Sequence, residues 1–155
     1  MPKRLLIVAH APSPNTARLR DAALAGARSA QIGGVEAIAL GPFETAPEHV
    51  LAADAVLLGT PENLAYMSGA LKDFFDRCYY PLLEKTQGLP YALYVRAGQG
   101  GGEGTCRAVE SITTGLRWRA AQAPLVLRGA WREEFVDQVR ELGMAMAAGL
   151  EAGVF

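Results

Sequence analysis

The chain predicts an α/β fold: a three-layer sandwich in which a five-stranded parallel sheet, in the order 2-1-3-4-5, carries helices on both faces. Three observations lead there. Short apolar runs of strand length alternate with segments of helical period along the whole sequence. The first and third runs are continuously apolar, as strands covered on both sides must be. With 155 residues, half of them hydrophobic, the chain reads as one domain, 1–155, with a sizeable core. The alternation implies right-handed crossovers. A piece of a dinucleotide-binding sheet would share these elements, but the order 2-1-3-4-5 uses five strands without remainder.

Leu5-Leu6-Ile7-Val8-Ala9 is the first strand. A helix opens at Asn15 or Thr16 and runs through Leu19, Ala22, Ala23 and Ala27 to about Ala30, with Gly26 on the same face. Gly33-Gly34 break it. Val35 to Leu40 form the second strand, closed by Gly41-Pro42, and Pro47 to Ala52 has room for one short helix. Ala55-Val56-Leu57-Leu58 is the third strand. Leu71, Phe74, Phe75 and Cys78 then fall at i, i+3, i+4 and i+7 on a helix starting near Ser68. Pro81 and Gly88 bound the next connection. Tyr91 to Val95 make the fourth strand, and Val109, Ile112, Thr113 and Leu116 the following helix. Leu125-Val126-Leu127 is a short fifth strand, and Phe135, Val139, Leu142, Met146 and Leu150 mark a long final helix.

Fifteen basic against sixteen acidic residues give a net charge of −1, so no strong field gathers nucleic acid or an anionic membrane surface. No apolar run approaches the ~20 residues of a spanning helix. The segment after Lys3-Arg4 stops at His10 without a cleavage pattern and reads as a strand rather than a signal peptide. Cys78 and Cys106 share no metal-type spacing, which points to a reduced, cytoplasmic protein without a metal site.

In open parallel sheets ligands sit beyond the carboxyl ends of the strands, where strand order reverses. Three loops are therefore informative. The first, His10-Ala11-Pro12-Ser13-Pro14-Asn15-Thr16-Ala17, feeds a helix start whose free N–H groups suit a phosphate, though Ser, Asn and Thr are also ordinary capping residues. It is neither a Walker loop nor a G-x-G-x-x-G loop. The second begins with Gly59-Thr60-Pro61, a sharp stop to the strand, and offers Glu62, Asn63, Tyr66 and Met67 as a lining for a flat heteroaromatic ligand, though Tyr66 or Met67 could equally be core lid residues. The third, Arg96-Ala97-Gly98-Gln99-Gly100-Gly101-Gly102-Glu103-Gly104-Thr105, lets backbone approach a ligand closely, though such a glycine run is also what a flexible surface loop without function shows.

Gly59-Thr60-Pro61-Glu62-Asn63 followed by Tyr66-Met67-Ser68-Gly69-Ala70-Leu71-Lys72-Asp73-Phe74 resembles the second flavin loop of the NAD(P)H-dependent FMN reductase and quinone reductase branch of the flavodoxin-like superfamily. The pattern of strands and loops is similar from Leu5 to about Leu150. The resemblance implies FMN as cofactor and NAD(P)H as electron donor, with a quinone, a nitro or azo compound, or free flavin as acceptor. It implies that Ser13, Asn15, Thr16 and Ala17 hold the FMN phosphate. Pro61, Glu62, Asn63, Leu64 and Tyr66 would line the ribityl chain and ring, and Gly98, Gln99 and Gly100 would close over the ring's other edge. It also implies a homodimer or homotetramer.

Two departures stand out. The first loop lacks Thr-Gly-Asn-Thr, and its two prolines remove backbone donors. The strong negative charge of electron-carrier flavodoxins is also missing. No catalytic acid, base or nucleophile is expected, because the loops hold no His–carboxylate or Cys–His pair and the cofactor carries the chemistry. A response-regulator receiver would need acids where His10-Ala11 stand, and a low-molecular-weight phosphatase a cysteine in the first loop. The alternative that survives is a flavin-binding module or flavodoxin-type carrier without turnover.

Overall fold

Five consecutive apolar residues, Leu5 to Ala9, form the buried length of β1 (Lys3–Ala9) in the computed structural model, which describes residues 1–155. A strand with no polar alternation needs cover on both sides. Leu5, Ile7 and Ala9 enter one core, Leu6 and Val8 the other. β2 (Val35–Leu40) and β3 (Ala55–Asn63) pair with β1 in parallel, Leu5 opposite Ala37 and Ala55. β4 (Tyr66–Met67) folds back antiparallel on the end of β3. β5 (Pro90–Ala97) pairs with β3 in parallel, and β6 (Arg119–Ala120) and β7 (Leu125–Arg128) share its far edge. With the two-residue strands β4 and β6 set aside, the order is the expected 2-1-3-4-5.

The two cores are separated by the sheet. α1 (Pro14–Ala27) and α5 (Glu134–Ala152) cover one face with Leu19, Ala23, Phe135, Val139 and Met146. α2 (Pro47–Leu51), α3 (Gly69–Leu82) and α4 (Glu103–Gly115) cover the other with Val50, Leu71, Phe74, Phe75 and Val109. Gly26 and Gly143 let α1 and α5 touch backbone to backbone. A methyl group at Gly26 would run into the Arg140 carbonyl, and one at Gly143 into that of Ala23. The glycine that weakened the helical pattern of α1 is thus where its partner helix lies.

Three expectations need correction. Gly59-Thr60-Pro61 does not stop the third strand, which continues to Asn63 and turns into a hairpin. Pro61 stands opposite Arg96 of the parallel neighbour β5, and the chain runs on past it. Pro81 does not bound a connection but lies inside the last turn of α3. α1 ends at Ala27 rather than Ala30, and there Arg28 turns back, its Nε and Nη2 donating to the Ala37 carbonyl of the outer strand β2 at 3.0 and 2.8 Å. No helix is long and apolar enough to cross a membrane.

Candidate functional site

The carboxyl ends of β1, β3 and β5, side by side in the sheet, open on one rim. The first loop leaves β1 there, tied to the neighbouring strand by the His10 amide, which donates to the Gly59 carbonyl at 3.0 Å. Ser13 then caps α1. Its hydroxyl accepts from the Thr16 amide at 3.1 Å, while the Thr16 hydroxyl accepts from the Ser13 amide at 2.9 Å, a reciprocal capping box. The two hydroxyl oxygens also lie 2.8 Å apart, and the Ala17 amide donates to the Ser13 carbonyl at 2.9 Å. Pro12 and Pro14 have no amide hydrogen. Of the backbone donors from His10 to Ala17, only those of Ala11 and Asn15 lack an acceptor within the protein.

The second loop is the β3–β4 hairpin. Asn63 faces Tyr66 and Glu62 faces Met67, so Leu64 and Ala65 alone make the turn. Both have positive φ, 54° and 60°, the left-handed pair of a type I′ turn that usually falls to Asn-Gly. Leu64 is wholly exposed at this tip, and Tyr66 is 39% exposed. The hairpin's base is closed by Thr60, whose hydroxyl donates to the Pro61 carbonyl at 2.7 Å and accepts from the Ser68 amide at 3.0 Å. Ser68 in turn caps α3, accepting from the Leu71 amide at 3.2 Å.

The third loop packs against this hairpin. Glu62 reaches across: its carboxylate accepts from the Gly102 amide at 3.2 Å and from the Thr105 hydroxyl at 2.7 Å. Gly102 is the residue before α4, so the carboxylate sits at the helix N-terminus, where free amides and the helix dipole favour negative charge. Position 104 tolerates only glycine, since a methyl group there would strike the Ala65 carbonyl. Gly101 and Gly102 adopt φ of 83° and 86°, which glycine takes at no steric cost. The amides of Gly98, Gln99, Gly100 and Gly101 bond to nothing in the protein, and Gly98 faces open space. Outside the loop, the Arg128 Nε donates to the Gly101 carbonyl at 2.5 Å.

Charge at the rim is already engaged. Arg18 pairs with Glu133 through both guanidinium nitrogens, at 3.0 and 2.5 Å, and stacks over Trp131 at 5.6 Å. Arg96, at the end of β5, lies over Trp131 and Phe135 and donates to the Ala97 and Leu127 carbonyls. Trp131 is thus a packing platform, as is Trp118, whose indole donates to Thr86 at 2.8 Å. Partial burial lowers the His10 pKa below its ordinary 6.5. Burial raises the thiol pKa of Cys78 and Cys106, so neither is an activated nucleophile. Cavities of about 260 Å³ beside α2 and 270 Å³ beside α4 lie away from the rim.

The structure therefore brings Pro61, Glu62, Asn63, Leu64 and Tyr66 together with Gly98, Gln99 and Gly100 through the Glu62 bridge, and joins the first loop to β3 through His10. Glu62 spends its carboxylate inside the protein. Ala65, Gly102, Gly104 and Thr105 lie in the second and third loops but received no individual role from the sequence. The only local signal was Thr105 just after a glycine run, at the start of a helical pattern. The donors that a flavin's polar edge would need are present in the glycine loop, whose amides from Gly98 to Gly101 are unengaged, and the exposed Leu64 and Tyr66 of the hairpin stand beside them.

Several solved structures share this fold. An archaeal flavodoxin is 15% identical with a TM-score of 0.76, covering 95% of this chain and 98% of its own. Megasphaera elsdenii flavodoxin in its two-electron reduced form is 20% identical with a TM-score of 0.75, covering 93% and 98%. A flavodoxin, WrbA-like protein from Agrobacterium tumefaciens is 16% identical with a TM-score of 0.68, covering 94% and 96%. At these identities the likeness establishes the flavodoxin-like fold. No curated protein matches the sequence. The family described as NADPH-dependent FMN reductase matches residues 22–132, from within α1, just after the first loop, to just before α5. That span covers most of the chain, which accordingly belongs to the NADPH-dependent FMN reductase family, a flavodoxin-like FMN-binding oxidoreductase family.

Proposed function

We propose that this protein is an NAD(P)H-dependent reductase that passes two electrons through FMN to a quinone, a nitro or azo compound, or free flavin. The observation that carries the reading is the third loop, where four successive backbone amides without internal partners stand beside the hairpin on the rim where β1, β3 and β5 end. Bound FMN supplies the hydride-accepting and hydride-donating chemistry. The chain's own part is to hold and to expose. Gly98 to Gly101 offer donors to the polar edge of the ring, and Asn63, Leu64 and Tyr66 offer a wall beside it. Because Leu64 and Tyr66 lie open to solvent, a second planar substrate has access.

No side chain of the rim need act as acid or base, which suits a site whose carboxylate and guanidinium groups are bonded to one another or to backbone. The weak net charge of −1 supports an enzyme over an electron shuttle, which would recognise its partner through a strong field. We also propose self-association as a homodimer or homotetramer and a cytoplasmic location. Phe43 and Tyr80, 68% and 78% exposed, lie on neighbouring elements and favour the first; the two free cysteines favour the second.

The test is anaerobic addition of NADH or NADPH to the FMN-loaded protein while the flavin absorbance is followed. Bleaching within seconds is expected, with reoxidation by a quinone. A flavin band that persists under both nucleotides would assign the protein to the non-catalytic binding modules instead.

A further inference from the structure

The face of the sheet beneath α2 is left partly bare. α2 has only five residues, and Val50 is the one it buries. Beside it lies the cavity of about 260 Å³, somewhat below the roughly 300–1,000 Å³ of sites for drug-sized ligands. Leu6 and Ile38, Cα partners across β1 and β2, form its floor, and the small side chains of Ala52 and Ala53 line its wall. Ile38 keeps 46% of its surface exposed, so the apolar floor is open to an occupant.

Two residues nearer the amino ends of the same strands stand Arg4 and Glu36, again Cα partners. Side chains two apart share a face of the sheet, so both border this floor from strands about 4.8 Å apart. The Arg4 amide donates to the Asp54 Oδ2 at 2.8 Å, but its guanidinium bonds to no group of the protein, nor does the Glu36 carboxylate. Glu48 adds a second free carboxylate at the mouth, whereas His49 is engaged, its Nδ1 accepting from the Ala46 amide at 2.9 Å. The surplus of negative charge disfavours a simple anion, and the unpartnered guanidinium disfavours a simple amine.

We infer that this pocket binds a small zwitterion with an aliphatic body, the chemistry of a free branched-chain α-amino acid. The ligand's carboxylate lies against Arg4 and its ammonium against Glu36, two charges carried on one carbon and met by neighbouring strands. Its hydrocarbon side chain covers Leu6 and Ile38, in the space that Ala52 and Ala53 leave. The site lies at the amino-terminal half of β1 and β2, away from the rim, and does not depend on the flavin reading.

The test is calorimetric titration of the full chain with L-leucine, glycine, isoamylamine and 4-methylpentanoate. The last three lack in turn the aliphatic body, the carboxylate and the ammonium. L-Leucine should saturate one site per chain with a dissociation constant below about 10 mM. Each truncated probe should bind about tenfold more weakly or worse, the effect of one charge-assisted hydrogen bond or of the lost apolar contact. Arg4→Gln should weaken L-leucine by about tenfold or more and leave isoamylamine unchanged. Ile38→Trp, which fills the floor, should abolish L-leucine binding while the circular dichroism spectrum keeps its shape. No saturation by L-leucine, equal binding of glycine, or binding that survives Ile38→Trp would overturn the inference. So would sedimentation in which the unaltered chain associates and the Ile38→Trp chain does not, since the face would then belong to a second copy.

Discussion

Glu62 shows how one side chain can organise two segments. Its carboxylate serves the Gly102 amide and the hydroxyl of Thr105, a residue with no solvent exposure. Removing it leaves that buried hydroxyl without its partner and the start of α4 without its cap. Glu62→Ala should therefore lower stability by roughly 1–3 kcal/mol. Exchange of the Gly102 amide with solvent deuterium should quicken as the glycine loop detaches. A stability loss without faster exchange at Gly102 would mean that the loop is held by something else. None of this was legible in the sequence. From the sequence Glu62 could equally accept from ligand hydroxyls or face water, because nothing local reveals a partner 40 residues away that becomes adjacent only when β3 and β5 pair.

At the scale of elements, the strands and helices could be read because each is long enough to show its period. β1, β3 and β5 are continuous apolar runs, and α3 carries a clear apolar stripe. The hairpin could not be read, since Leu64-Ala65 carries no turn signal. The turn forms nonetheless because β3 outruns its parallel neighbours, and the Glu62–Met67 pairing together with the Thr60–Ser68 bond draws the chain back. Its cost is two residues held in the left-handed region, on the order of 1–2 kcal/mol each. Replacing the pair with Asn-Gly should raise stability by about 1–2 kcal/mol in chemical denaturation, by relieving that strain. If Leu64 belongs to the wall beside the ring, flavin affinity should fall at the same time. A variant that gains stability and binds flavin as before would take Leu64 out of the site.

Across the whole molecule, strand order places the functional loops: once β1 lies between β2 and β3, the loops after β1, β3 and β5 must meet at one rim. This much follows from the alternation of elements, and it explains why the site's position was legible while its internal bonds were not. The two faces of the sheet are closed by helices, whereas its flank along β2 is not. There the Arg28 guanidinium occupies the Ala37 carbonyl. An unpaired flank invites foreign strands, and proteins commonly guard it with charge. The guanidinium is such a guard: a chain arriving to extend the ladder would first have to displace a cation. Arg28→Ala should leave the fold standing but make concentrated, warmed solutions scatter light sooner. A second copy adding a strand beside β2 would therefore have to break the Arg28–Ala37 contacts before its own ladder could form.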